Sequence, residues 1–478
     1  MGSPALLTDG YKFSMAEAGW PLRRETFYSS HRKGGLQVLP FDVKAALLAV
    51  LPEAKPADWA FLSSHDYEMG SAVRAALASR ELVVHALPKN AVFHDREPMF
   101  SVTGPSALVS WLEPVVLMWN YRVQVATTAL LRRAELAAAV GTVTCEAQRQ
   151  LVLETLDAVG VKAPPIVVDS AGYVARVKAR VEELVQILGT PARLFEVGLR
   201  AASCPEQHLL ALEGCKQAGL NRTSSVHGAQ VLGLVPVGTM GHEHIQRYGS
   251  DEVAFRAMVE RRYQRSSFLL DTFDTITSGI PTAYRIIQER SGQGDSIRYD
   301  SGDKIAQYRF AAIEARRLGI RPVQILEDSF DAALTRTFEA LRVEVGWKPE
   351  EQVYGYGGYL VAGTSGSPLT RDRVSAVYKL TQTGAQPTMK FGNEGGGGKQ
   401  SVPGRPVLFR RRVGASGPFG MVGQEGEAVP EGYELLTDAP APAKPALAEA
   451  QAVAESDRTL ALSPLTRAMV DTLSKWKS

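Results

Sequence analysis

The sequence predicts an α/β fold, an irregular (β/α) barrel with an additional α+β domain formed from the N- and C-terminal segments. Two observations lead there. Seven short apolar runs between Arg193 and Gly355 alternate with helical stretches, and such alternation builds a largely parallel sheet because parallel strands need helical crossovers. Three of the runs, Val235-Pro-Val-Gly-Thr-Met-Gly-His242, Leu269-Leu-Asp-Thr-Phe-Asp-Thr275 and Ile297-Arg-Tyr-Asp-Ser-Gly-Asp303, break from apolar into polar residues. Strand ends of a barrel gather at one face, so these breaks bring distant residues into one pocket.

A length of 478 residues exceeds what a single core usually supports, and the chain divides into three segments. Residues 1–120 mix short helices with the strand-like runs Glu81–Ala86 and Pro98–Thr103, punctuated by Pro and Gly, as an α+β unit does. From Leu108 to Val140 apolar residues recur at helical spacing, with Pro114 in the first turn, and predict a bridging helix. Residues 121–368 carry the barrel, its strands expected at 193–197, 220–223, 234–238, 268–271, 297–300, 323–326 and 352–355, closed or nearly closed. Residues 369–478 return to strands and turns and are expected to pack on the N-terminal domain. Within them Gly395-Gly-Gly-Gly398 reads as a flexible loop, residues 438–450 as an Ala/Pro-rich linker or exposed wrap, and Thr466–Lys477 as a last helix.

Composition narrows the class. A hydrophobic share of 45% and a charged share of 22% are those of an ordinary globular protein. No apolar run reaches the roughly 18 residues of a membrane span, and the opening residues lack the basic and apolar regions of a secretory signal, so a cytoplasmic location is expected. Cys145, Cys204 and Cys215 form no C-x-x-C pair, which argues against a disulfide framework and a structural zinc site and for buried small hydrophobes. A net charge of +2 makes no case for nucleic acid. The stretch from Arg371 to Arg412 holds nine Lys or Arg against two acids, and fits either a solvated sheet edge or a phosphate-binding surface.

The polar residues just beyond the expected strands are Arg200; Thr223, Ser224 and Ser225; His242; Asp271 and Asp274; Arg298, Asp300 and Asp303; Glu327 and Asp328; and Gly355, Gly357 and Gly358. Taken singly, many have a structural explanation: Ser301, Asp328 and Thr275 are as readily helix caps as site residues, and a lone histidine is commonly structural. As a set they suit phosphate and sugar chemistry. Asp300 and Asp303 flank a Ser-Gly turn, so both carboxylates can face one pocket and hold ribose hydroxyls or a hydrated Mg²⁺. Strand alternation points Arg298 the same way as Asp300, toward a carboxylate or phosphate. Gly355-Tyr-Gly-Gly358 follows the last strand, where barrels seat phosphate on bare backbone N–H groups. A rival reading takes His242-Glu-His244 as half of a hydrolase metal site, but all eight histidines lie at or before His244, so the later ligands are missing.

With these residues the chain resembles nicotinate phosphoribosyltransferases over nearly its whole length. Leu6-Leu-Thr-Asp-Gly-Tyr-Lys-Phe-Ser-Met15 is similar to that family's opening motif, and Phe27 to Lys33 to its next strand. Gly238-Thr-Met-Gly-His242 matches its G-T-x-x-H. Leu269 to Thr275 with Ser278-Gly-Ile-Pro281, then Arg298 to Asp303, Tyr378-Lys-Leu380 and Pro403-Gly404, continue the series in order.

The resemblance implies condensation of nicotinate with phosphoribosyl pyrophosphate to nicotinate mononucleotide and pyrophosphate, coupled to ATP hydrolysis, as a step of NAD synthesis. It implies that ATP phosphorylates His242, that Mg²⁺ neutralises the departing pyrophosphate, and that Asp300 and Asp303 hold the ribose. Arg298 and Arg200 would bind the acid group or phosphates, with Thr223, Ser224, Gly357, Gly358 and Arg371 as further substrate contacts. Tyr11 matches a tyrosine that reaches across a dimer interface to stack on the pyridine ring, so a homodimer is implied. No residue is assigned to the cofactor, and none as a resident metal ligand.

Four departures from the family pattern stand out. Val197-Gly-Leu-Arg-Ala201 replaces Phe-Gly-x-Arg-Arg and loses an aromatic stacking partner and the second arginine. Ser224 stands where the related nicotinamide enzyme has an Asp, which favours the acid substrate by avoiding like charge. Leu369-Thr-Arg-Asp372 looks more like the nicotinamide enzyme, and Glu327-Asp-Ser329 replaces a more neutral loop. Nicotinamide thus stays open as the substrate. Two other classes also remain, a catalytically degenerate nucleotide binder, suggested by the losses at Val197 and Ala201, and the metal hydrolase.

Overall fold

A computed structural model describes residues 3–238, 240–262, 265–290, 294–362, 369–391 and 400–475. Thr239, the Gly395–Gly398 run and the last two residues of the expected C-terminal helix lie outside the described residues.

All seven barrel strands are present, at Leu194–Glu196, Arg222–Thr223, Val235–Pro236, Ser267–Leu269, Ser296–Tyr299, Val323–Leu326 and Gln352–Tyr356. Each pairs with its neighbours in parallel. Among the described residues the sheet does not close: Val235–Pro236 and Ser267–Leu269 are its two edges. Between those edges the chain forms the helices His242–Tyr248 and Asp251–Arg261 in place of further strand. The structure is therefore a curled half-barrel. Its crossover helices bury one stripe, as Lys304–Leu318 does with Tyr308, Ala311, Ala312 and Ala315.

A second sheet joins the two ends of the chain. Arg24–His31 pairs antiparallel with Pro98–Pro105 on one side and with Ala376–Thr383 on the other. Four more strands, from Pro406–Arg411 to Ala461–Leu462, form a separate C-terminal sheet. The Ala/Pro-rich stretch is an exposed wrap anchored to the N-terminal region: Asp438 pairs with Lys44 and His85, and Asn90 donates to the Pro442 carbonyl at 3.0 Å.

The single bridging helix is corrected to four short ones, Ser106–Trp111, Glu113–Met118, Asn120–Leu131 and Leu136–Val140. Proline lacks an N–H to continue a helix, and Pro114 sits in the first turn of the second. The break places Glu113 at a helix start, facing the barrel. The cysteines are buried and free, with Cys145 and Cys204 sulfurs 3.5 Å apart. No described helix is long and apolar enough to cross a membrane.

The two sheets meet where the Gly10–Glu17 helix packs on the barrel's strand ends. The Gly10 amide donates to the Ser224 carbonyl at 2.7 Å, and Ser14 Oγ donates to the Gly238 carbonyl at 3.1 Å. Gly238 has a φ of +140°, and a Cβ there would lie 2.5 Å from the Tyr11 nitrogen. Only glycine meets both demands.

Candidate active site

A cavity of 1710 Å³ opens on the strand ends of the half-barrel. At one side of it His242, the first residue of its helix, is surrounded by groups from three other segments. Its Nδ1 lies 3.1 Å from Thr272 Oγ1, and its Nε2 lies 3.1 Å from Asp300 Oδ2, 3.5 Å from Asp271 Oδ1 and 2.8 Å from Lys390 Nζ. Burial pushes the imidazole pKa down, Asp271 opposes this and Lys390 adds to it. The ring is thus held neutral. With its proton on Nδ1, shared with Thr272, the Nε2 lone pair faces the Lys390 ammonium; with the proton on Nε2 it donates to Asp300. Burial pushes Asp300 up, but the His242 hydrogen bond and the Lys390 and Arg298 charges outweigh it and hold the carboxylate well below its usual range.

Asp271, Asp300 and His242 present ligand atoms within 4.8 Å of one another, and Asp271 Oδ1 makes no hydrogen bond among the described residues. Two carboxylates suit a hard, hydrated Mg²⁺ carried by substrate phosphates. His244 is not part of this group. Its Nε2 lies 2.9 Å from the Ala254 carbonyl oxygen, and burial drives its pKa down to about 3, so the paired-histidine metal site is absent.

Tyr11 and Arg200 form the opposite wall. The Tyr11 hydroxyl donates to Glu113 Oε2 at 2.8 Å, and the Arg200 guanidinium lies 5.7 Å from the Tyr11 ring centre. Arg200 also approaches Asp9 at 3.4 Å and Glu113 at 3.5 Å. Beneath them Lys12 bridges Glu113 at 2.7 Å and Glu243 at 2.9 Å. Buried charges persist only when paired in this way. Tyr11 thus lines its own chain's cavity.

Ser224 lines the same wall, and its hydroxyl donates to Asp9 Oδ1 at 2.6 Å. The carboxylate that the sequence seemed to avoid at position 224 is thus supplied from Asp9. Burial raises the Asp9 pKa, with Arg200 and the Ser224 hydrogen bond opposing. The aromatic missing at Val197 is partly restored two residues earlier: Phe195 lines the cavity beside Val197, as strand alternation requires. Arg298 faces Glu327, Nε to Oε1 at 2.8 Å. Arg371 lines the cavity while donating to the Ala376 carbonyl at 3.0 Å.

Four expected site residues are not brought to the cavity. Thr223 turns under the sheet, where its hydroxyl donates to the buried Glu196 carboxylate at 2.6 Å. Asp303 is exposed and caps the Lys304–Leu318 helix, accepting from the Ala306 amide at 3.0 Å; its capping preference outweighs the Ser-Gly turn. Gly357 caps and Gly358 opens a helix of only four residues, and a Cβ on Gly358 would lie 2.8 Å from Asp372 Oδ2. That carboxylate is a poor neighbour for a phosphate. Lys390, Asp9, Lys12 and Glu113 were missed by strand-end reasoning because none follows a barrel strand; for Lys390 the basic stretch from Arg371 to Arg412 was the available signal.

No family model matches the sequence. Over 472 aligned residues the chain is 24% identical to nicotinate phosphoribosyltransferase of Bos taurus, which spans 85% of this chain and 76% of that protein. Against nicotinate phosphoribosyltransferase of Homo sapiens it is 24% identical over 526 aligned positions, 92% of this chain and 85% of that one. In fold it is similar to the crystal structure of nicotinate phosphoribosyltransferase from Porphyromonas gingivalis, with a TM-score of 0.59 at 18% identity over 84% of this chain and 96% of the other.

Proposed function

We propose that this chain, a member of the nicotinate phosphoribosyltransferase family, condenses nicotinate with phosphoribosyl pyrophosphate to nicotinate mononucleotide and pyrophosphate, as a step of NAD synthesis. The observation that carries the reading is His242 held between Lys390 and Asp300 at the strand ends of the half-barrel. A packed core has no use for such a group.

In this reading the pyridine nitrogen gives its lone pair to C1 of the ribose, and the bond from C1 to the pyrophosphate oxygen breaks with both electrons leaving on oxygen. Asp300 in this reading stabilises the developing positive charge, and such preorganised charge is where most rate enhancement arises. Arg298 and Arg200 take the acid group and phosphates, and Tyr11 presents a ring face to the pyridine. Asp271 and Asp300 would hold Mg²⁺, which when bound supplies charge neutralisation for the leaving group.

ATP coupling is part of the proposal. His242 Nε2 attacks the γ-phosphoryl, the N–P bond forms as the bond to ADP breaks, and Lys390 neutralises the charge placed beside it. The homodimer and the cytoplasmic location implied by the resemblance are proposed with it.

The test is mononucleotide formation by the purified protein with phosphoribosyl pyrophosphate and Mg²⁺, offering nicotinate or nicotinamide, each with and without ATP. Nicotinate turnover stimulated by ATP, the stimulation lost in His242→Ala, is the expected result. Asp9 beside Ser224 favours a second reading, in which a carboxylate accepts the amide of nicotinamide. Turnover of nicotinamide alone would select it, and turnover of neither would leave a degenerate binder.

A further inference from the structure

Glu327 is a charge that the proposed reaction does not call for, placed on a residue that it does. The strands Ser296–Tyr299 and Val323–Leu326 run in parallel register with Arg298 opposite Ile325. Alternation turns Ile325 and Glu327 to the same side, and both line the cavity. There Glu327 Oε1 lies 2.8 Å from Arg298 Nε, with both side chains nearly buried at 13% and 15% exposure. Arg298 Nε nevertheless has no aligned hydrogen-bond acceptor among the described residues. The pair is attracted without being locked.

Its backbone is built for the position. Asp328 and Ser329 follow at φ of 62° and 64°, a left-handed conformation that side chains other than Gly and Asn adopt at a cost. The Lys304 ammonium holds the turn by donating to the Glu327 carbonyl at 2.7 Å and to that of Asp328. On the adjacent strand Gly355 leaves space: a Cβ there would lie 2.7 Å from the Phe195 ring and 3.0 Å from Glu327 Oε2. The left-handed turn and the Lys304 clamp fix the backbone that carries the Glu327 carboxylate beside Arg298.

We propose that Glu327 is a specificity-determining residue, whose carboxylate competes with the carboxylate of the ring substrate for Arg298 and so lowers the preference for the acid over the amide. The proposal rests on the reading above, in which Arg298 receives the acid group. An anion that enters must displace Glu327 from Arg298, whereas a neutral amide leaves the pair in place. Burial pushes the Glu327 carboxyl up, with Arg298 opposing, Asp300 adding, Arg200 opposing and Asp328 adding.

Calorimetric titration of nicotinate and nicotinamide into the full-length protein, Glu327→Gln and Glu327→Ala tests it. With Glu327→Gln nicotinate should bind about tenfold tighter, the scale of one lost charge competitor at a half-desolvated site, while nicotinamide affinity shifts by less than about twofold. The alanine variant should move nicotinate in the same direction. Unchanged or weaker nicotinate binding overturns the proposal, as does equal tightening of both compounds, which would mark a steric effect. Weaker binding of phosphoribosyl pyrophosphate with nicotinate unmoved also overturns it and assigns the carboxylate to the sugar. If mononucleotide forms but nicotinate affinity ignores Glu327, only this proposal falls; if the unsubstituted protein binds neither ring compound, both readings fall.

Discussion

Lys390 Nζ lies 2.8 Å from His242 Nε2, though 148 positions separate them in the chain. The lysine also lies within 3.9 Å of Asp271 and 3.8 Å of Asp300, so it is the one cation that compensates both carboxylates around the imidazole among the described residues. If His242 is phosphorylated as proposed, Lys390→Met should lower that rate by about a hundredfold, the usual loss when a charge-stabilising donor is removed from a catalytic site. It should also raise the imidazole pKa, since the ammonium lowers it and Asp271 and Asp300 raise it. Rapid-quench phosphorylation and an NMR titration of the ring check both; an unmoved pKa would remove Lys390 from this role.

Arg247 and Glu25 fasten the His242–Tyr248 helix to the Arg24–His31 strand. Arg247 donates from Nε to Glu25 Oε1 at 2.7 Å and from a terminal nitrogen to Oε2 at 2.9 Å, both side chains being buried. Arg247→Met leaves Glu25 uncompensated and should cost about 3–5 kcal/mol in urea unfolding. Pairing it with Glu25→Gln should recover part of that loss, and failure to recover any would mean that packing rather than charge sets the cost.

Lys379 lines the cavity, and burial lowers its pKa from the ordinary 10.5 to about 7, with Glu113 opposing and Lys390, Arg32 and Arg200 adding. A depressed lysine binds fewer protons folded than unfolded, so stability should rise with pH from about 7 to 10.5 relative to Lys379→Met. Anionic ligands favour its charged form. Pyrophosphate binding at pH 8 should therefore take up a proton, seen as buffer-dependent heat in calorimetry and absent in Lys379→Met. Uptake that survives the substitution would place the titration elsewhere.

Gly238→Ala would put a methyl 2.5 Å from the Tyr11 nitrogen at a φ of +140°. The strained backbone alone should cost about 1–3 kcal/mol, and the Gly10–Glu17 helix must shift to relieve the contact. We expect a lower melting temperature and weaker nicotinate binding together. A stable variant with normal affinity would show that Tyr11 is not placed by this contact.

The parallel strands were legible because local pattern specifies them: Val323–Leu326 is where the apolar run put it. Barrel closure was not, since it depends on whether residues 234–271 continue as strand or turn into helix, a tertiary choice. His242, Asp300, Arg298, Arg200, Ser224 and Tyr11 reach the cavity because each follows a strand or opens a motif. Asp303 does not, and its position just before Lys304-Ile-Ala-Gln307 already carried the capping signal that explains why. The basic stretch around Lys390 pointed to an anion-binding surface, but its contact with His242 was not legible, because the two lie in segments 148 positions apart.

The site draws on both ends of the chain, Tyr11 at one and Lys390 at the other, with the Arg24–His31 strand waiting between Pro98–Pro105 and Ala376–Thr383 for its second neighbour. Contacts of such separation pay their loop-closure entropy late and make folding slow. During synthesis the half-barrel strands emerge in order and can begin to pair, yet the inner edge of Arg24–His31 stays open until nearly the whole polypeptide has left the ribosome. An exposed edge invites foreign pairing, so this chain's vulnerability lies in its biogenesis, and a nascent chain stalled before residue 376 would be both inert and prone to aggregate.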